Sequence, residues 1–109
     1  MPTTYKVLAQ SKPTAATLTN AYTVPALTQT TVSSLVVANQ TATATAFRIS
    51  VAIGGAADTP AQYLYYDIAI PANDTFVATV GVTLGAGDII RVRNTLANLS
   101  FNFYGVEIS

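Results

Sequence analysis

An all-β fold, an antiparallel β-sandwich of about eight strands, is what three features of this 109-residue chain predict, with jelly-roll-like strand order as the first choice and immunoglobulin-like order as the alternative, since both give short alternating strands with similar turns. Apolar and polar residues alternate with a period of two in segment after segment. Thr, Val, Ile, Tyr and Phe, the residues of pleated half-buried positions, dominate those segments, and threonine alone contributes 17. Gly, Pro and Asn turns break the pattern about every ten residues, the spacing of a sandwich or barrel. No amphipathic helix of useful length is present, and residues 1–109 read as a single domain.

The first third carries three β-rich segments, Tyr5 to Gln10, Thr17 to Val24 and Gln29 to Ala38, separated by turns at Lys12-Pro13 and Pro25-Ala26. Residues 1–6 have little to bury and read as an N-terminal arm, flexible or ordered on a partner. Ala42 to Thr45 is a short low-complexity loop entering the clearest strand, Ala46 to Ile53. There Phe47, Ile49, Val51 and Ile53 share one face and Arg48, Ser50 and Ala52 the other.

Gly54-Gly55 ends that strand. From Tyr63 to Ile70 the alternation assigns Leu64, Tyr66, Ile68 and Ile70 to the core and Tyr63, Tyr65, Asp67 and Ala69 to the outside. Pro71 stops the ladder. Phe76, Ala78, Val80, Val82 and Leu84 then keep one phase up to the turn at Gly85-Ala86-Gly87-Asp88. Ile90 and Val92 alternate with Arg91 and Arg93. The last strand runs Leu99, Phe101, Phe103 and then slips phase to Val106 and Ile108, which predicts a β-bulge near Tyr104-Gly105.

Composition excludes most chemistry. Only 9% of residues are charged, against about a quarter in an ordinary soluble domain. With no His and no Cys, Ser-His-Asp and Cys-His catalysis are ruled out. Asp58, Asp74 and Asp88 stand at turns, where such side chains bond nearby backbone. These acids, with Asp67 and Glu107, read as solvated groups rather than as the carboxylate pair of a glycosidase. No Asp-x-Asp-x-Asp-Gly spacing marks a calcium loop. The expectation is therefore a non-enzyme with no cofactor and no metal site.

A net charge of zero removes the electrostatic drive for nucleic-acid binding and also the repulsion that keeps free copies apart. The chain is expected to act inside an assembly, as a homo-oligomer. No apolar run approaches a membrane span, and the first residues lack the apolar stretch of a signal peptide. Triplets of glycosylation type at Asn39, Asn73 and Asn98 carry no weight in so Thr-rich a chain.

Interface candidates follow from position. Tyr63 and Tyr65, set outside by the alternation, suit a partner surface or a sugar, or else form cross-strand packing pairs on a solvated face. Arg91 and Arg93 suit carboxylates of a neighbouring subunit, or else guard an edge strand against aggregation. In the arm, Tyr5, Val7 and Leu8 would fill pockets if it added a strand to a neighbour.

Three stretches of the first third, Tyr5 to Ser11, Tyr22 to Ala26 and Ser33 to Asn39, resemble small structural proteins of tailed bacteriophages. Thr45 to Val51, Gln62 to Asp67 and Asn73 to Thr79 extend the likeness over almost the whole chain. The resemblance to the capsid decoration, or cement, class implies a β-rich module on the outer capsid, commonly trimeric, that clamps adjacent capsomers. Its partners would be the major capsid protein and other virion proteins, and its place the virion, assembled in the host cytoplasm. No catalytic residue comes with the resemblance. The alternative role within the same particles is a tail, baseplate or fibre component touching host glycans.

Overall fold

Each alternating segment becomes a strand: β1 (Thr3–Ser11), β2 (Thr19–Thr23), β3 (Gln29–Asn39), β4 (Thr45–Ala52), β5 (Tyr63–Ile70), β6 (Thr75–Leu84), β7 (Ile89–Asn94) and β8 (Leu99–Ile108). This computed structural model describes residues 2–109, so Met1 of the expected arm lies outside the described residues. The strands form two antiparallel four-stranded sheets, ordered β1-β8-β3-β6 and β2-β7-β4-β5. β1 pairs with β8, β2 with β7, β3 with β6 and β4 with β5. That is one long hairpin rolled on itself, the jelly-roll order, and only β4 and β5 are both consecutive and hydrogen-bonded.

The core lies between the sheets. Phe47, Ile49, Val92, Leu35, Val37, Leu99, Phe101 and Phe103 are fully buried there. Phe47 is its aromatic hub, with the Phe76 and Phe101 rings at 5.2 and 6.0 Å. On β6 the expected phase holds: Phe76, Ala78, Val80 and Val82 pack against the core and Leu84 is buried.

Four expectations need correction. Residues Thr3 to Lys6 are the first part of β1, paired with Ile108 to Gly105 of β8, and not a free arm. Ile53 is exposed, because the chain leaves β4 there in a short 3-10 turn through Gly54 at φ +61°.

On β5 the expected faces hold for Ile68 and Ile70 inside and for Tyr63, Asp67 and Ala69 outside, but Leu64, Tyr65 and Tyr66 are exchanged. Phe47 lies opposite Ile68 while Ile49 lies opposite Tyr65, so Arg48 faces two residues, Tyr66 and Asp67. Asp67 takes φ +54°, a left-handed conformation that Asp tolerates better than most residues. A second irregularity between Ile49 and Ser50 leaves Leu64 as an extra residue. These bulges turn Tyr65 inward onto Phe47 and Phe76 and leave Tyr66 56% exposed. They also twist an edge strand, where bulges discourage further pairing.

The bulge expected within β8 sits on its neighbours instead. Leu8 of β1 and Ser33 of β3 are the inserted residues, flanking Tyr104. β8 therefore keeps strict alternation, and it is Glu107, not Val106 or Ile108, that turns to the core side, where it meets Tyr22.

Candidate functional site

The β5 bulge builds a polar and aromatic surface feature around Arg48. Setting Asp67 opposite Arg48 brings the two into a forked ion pair: Nε donates to Oδ1 at 2.6 Å and Nη2 to Oδ2 at 3.1 Å. The same bulge places the Tyr66 ring under the guanidinium, whose carbon lies 4.0 Å from the ring centroid. Tyr63 meets Tyr66 edge to face, centroids 5.1 Å apart at 89°, the arrangement favoured by aromatic quadrupoles.

A loop closes the other side. Arg91 holds it down, its Nη1 donating to the Ala56 carbonyl at 2.7 Å and its Nη2 to that of Gly55 at 3.2 Å, while Nε binds Asn20 Oδ1. A 3-10 turn at Pro60–Gln62 returns the chain to β5. Within the loop Asp58 Oδ2 accepts from the Tyr63 hydroxyl at 3.0 Å. Arg48, Asp58, Thr59, Pro60, Tyr63 and Tyr66 line the resulting open groove of about 470 Å³, a volume in the range of small-molecule sites.

Electrostatics fix the charge states. The Arg48 fork holds the Asp67 carboxyl below its usual range, and Asp67 in turn raises the guanidinium pKa. Burial, then the Asp58 carboxylate, pushes the Tyr63 hydroxyl up. The groove presents the Asp58 carboxyl group, the Arg48 guanidinium held by Asp67, the Thr59 hydroxyl and the rings of Tyr63 and Tyr66. Such groups can make hydrogen bonds and ring-face contacts.

The seven residues singled out from the sequence do not converge. Tyr63 lines the groove, and Tyr65 lies beneath the sheet in aromatic contact with the core. Arg91 is occupied in fastening the loop. Arg93 stands opposite Arg48 on the outer face and acts on Asp67 through its field. Both arginines lie on β7, an inner strand of its sheet, so they guard no edge. Tyr5 and Val7 are exposed on the other sheet, and Leu8 is buried in the core.

Sequence reasoning missed Arg48, Asp58 and Tyr66 as a group. The available signal was Arg48, a charge in the most clearly alternating strand, matched by Asp67 alone among apolar neighbours on β5. Two of the triplet asparagines are structural through their side chains: Asn39 Nδ2 donates to the Thr43 and Pro71 carbonyls and Asn98 Nδ2 to Thr41 Oγ1 and the Thr43 carbonyl. Among the described residues no group of three His, Cys, Asp or Glu side chains is placed to hold a metal ion.

The fold and the groove define a class: a small jelly-roll module with a solvent-open groove of aromatic and carboxylate groups. No protein-family model matches the chain, and no curated protein matches it.

Proposed function

We propose that this protein is a structural component of a tailed-phage virion, a decoration (cement) protein that docks on the major capsid protein through the outer face of the β1-β8-β3-β6 sheet. The observation that carries the reading is that no outward position on these four strands is charged. Register places Tyr5 beside Val106, Val7 beside Tyr104 and Val36 beside Val77 on that face. Tyr5 is 83% and Val77 65% exposed. The charged side chains of the strands lie elsewhere: Lys6 and Glu107 pair at the sandwich margin, and Arg48, Asp67, Arg91 and Arg93 belong to the other sheet.

Four strands spaced about 4.8 Å apart and roughly 33 Å long present about 600 Å². Counted on both partners this reaches the lower end of specific interfaces. A contact of that size is modest for one copy and sufficient for a module that acts in many copies on one particle, the more so as the trimer implied by the resemblance.

The test is the copy number in purified particles, by quantitative mass spectrometry against the major capsid protein. A ratio near one supports decoration; absence from particles overturns the virion reading. The second reading, a tail, baseplate or fibre component, is favoured by the groove, and a ratio of a few per cent that follows purified tails selects it. On tailless capsids, a Tyr5→Glu, Val77→Lys double variant is expected to lose occupancy while keeping the wild-type fold. Undiminished occupancy refutes this docking face.

A further inference from the structure

We infer that the groove between β4, β5 and the loop at 56–60 is a binding site for a neutral saccharide, packed on the Tyr66 and Tyr63 rings and hydrogen-bonded by Asp58, Thr59 and Arg48. The inference is independent of the virion reading, because it concerns the isolated chain.

Charge selects the ligand class. A cation would seek a face of Tyr66, but the Arg48 guanidinium lies over one face at 4.0 Å and its positive charge repels a second cation from the ring surface that stays exposed. An anion would seek Arg48, but both Asp67 oxygens hold its fork, and Asp58 adds a second negative charge to the rim. What remains is a neutral molecule with many hydroxyls and a C–H surface. The partly positive hydrogens of such a surface suit the negative face of an aromatic ring.

The unused hydrogen-bonding groups match the same ligand. Asp58 spends Oδ2 on Tyr63, and among the described residues its Oδ1 has no protein partner. Arg48 spends Nε and Nη2 on Asp67 and stands within reach of the Tyr63 hydroxyl, with its remaining guanidinium protons at the groove wall. The Thr59 hydroxyl is likewise unengaged. An acceptor, a charged donor and a hydroxyl that serves as either complement a vicinal diol, whose two hydroxyls each donate and accept.

The site is also held in shape before any ligand arrives. The Arg48–Asp67 fork sets one wall, the Tyr63–Asp58 bond ties the loop to the strand, and Arg91 pins the loop from behind. Such order reduces the entropy lost on binding.

The experiment is a titration of the isotope-labelled full chain, followed by amide NMR shifts. The probes are glucose, galactose, mannose, N-acetylglucosamine and N-acetylgalactosamine, each taken to about 50 mM to cover weak millimolar affinity. Acetate and tetramethylammonium are run in parallel as charged probes. At least one sugar is expected to give saturable shifts centred on Arg48, Asp58, Tyr63 and Tyr66, with affinity falling at least tenfold in both Tyr66→Ala and Asp58→Asn. Asp58→Asn changes one exposed loop side chain and keeps the inference testable if Tyr66→Ala unfolds. Absence of saturable groove shifts with every sugar overturns it, as does sugar binding indifferent to Asp58→Asn. Saturation of the groove by acetate or tetramethylammonium in place of the sugars overturns the neutral class.

Discussion

The Tyr22 hydroxyl, on β2 of one sheet, donates a hydrogen bond across the sandwich to the Glu107 carboxylate on β8 of the other. Thr30 Oγ1 lies 2.8 Å from the same phenol oxygen, and Lys6 Nζ donates to the second Glu107 oxygen at 3.2 Å. A phenol that is only 8% exposed would be costly without these partners. The network therefore fixes how the two sheets sit at the end of the sandwich that holds the C-terminal half of β8.

Removing the bridge leaves a carboxylate and a threonine hydroxyl short of a partner. Tyr22→Phe is expected to cost about 1–3 kcal/mol at neutral pH, read as a lower midpoint in urea. A loss under about 0.5 kcal/mol would show that the bridge contributes no specific stability.

The same pair sets a pH window. Its hydrogen bond to Tyr22 and that to Lys6 hold the Glu107 carboxyl below its ordinary 4.5. That stabilisation is complete above the ordinary value and is lost as pH falls through the lower folded one. Burial, and then the Glu107 bond, pushes the Tyr22 phenol up to about 12 from 10. Its contribution is complete below 10 and is lost as pH rises toward 12. Urea midpoints against pH should form a plateau that falls at both ends. In Tyr22→Phe the acid and alkaline arms should both flatten.

Gly105 has no room for a side chain. A Cβ there would stand 2.0 Å from the Thr31 carbonyl oxygen and 3.1 Å from Leu8 Cδ1, because the insertions at Leu8 and Ser33 crowd β8 from both sides. Gly105→Ala is expected to cost on the order of 3 kcal/mol or more. Gly81→Ala meets nothing within 4 Å and serves as the control, with a melting temperature within a few degrees of wild type.

The two adjacent tyrosines of β5 should behave oppositely. Tyr65 packs on Phe47 and Phe76 at 6.1 and 5.4 Å, so Tyr65→Ala should cost about 3 kcal/mol. Tyr66 lies outside, and Tyr66→Ala should cost about 1 kcal/mol or less. Equal losses in denaturant would contradict the bulge at Asp67.

Arg91 is a fastener, and its effect should be local. Arg91→Lys keeps the charge but not the planar fork that reaches two carbonyls and Asn20 at once. Hydrogen exchange in peptides covering residues 53–62 should accelerate about tenfold while the β3 and β8 core stays protected. Unchanged exchange in that loop would remove Arg91 from this role.

The number of strands, their bounds to within a few residues, and the inward faces of β4, β6 and the first half of β8 were legible in the local pattern of residues. Strands with one buried face write that face as local alternation, and a period of two needs no partner to be read. Phe47, Ile49, Phe101 and Phe103 were legible for this reason. Tertiary structure alone decided which strands pair, where the bulges fall, and hence which side Tyr65, Tyr66 and Glu107 occupy. A bulge is a relation between two strands: Leu8 and Ser33 are extra only against β8, and Asp67 only against Arg48. Tyr22 and Glu107, 85 residues apart in the chain, carry no mutual signal until the hairpin has rolled. The groove shares that origin, for it exists only where an inserted residue on β5 turns a carboxylate and a ring toward one arginine on β4.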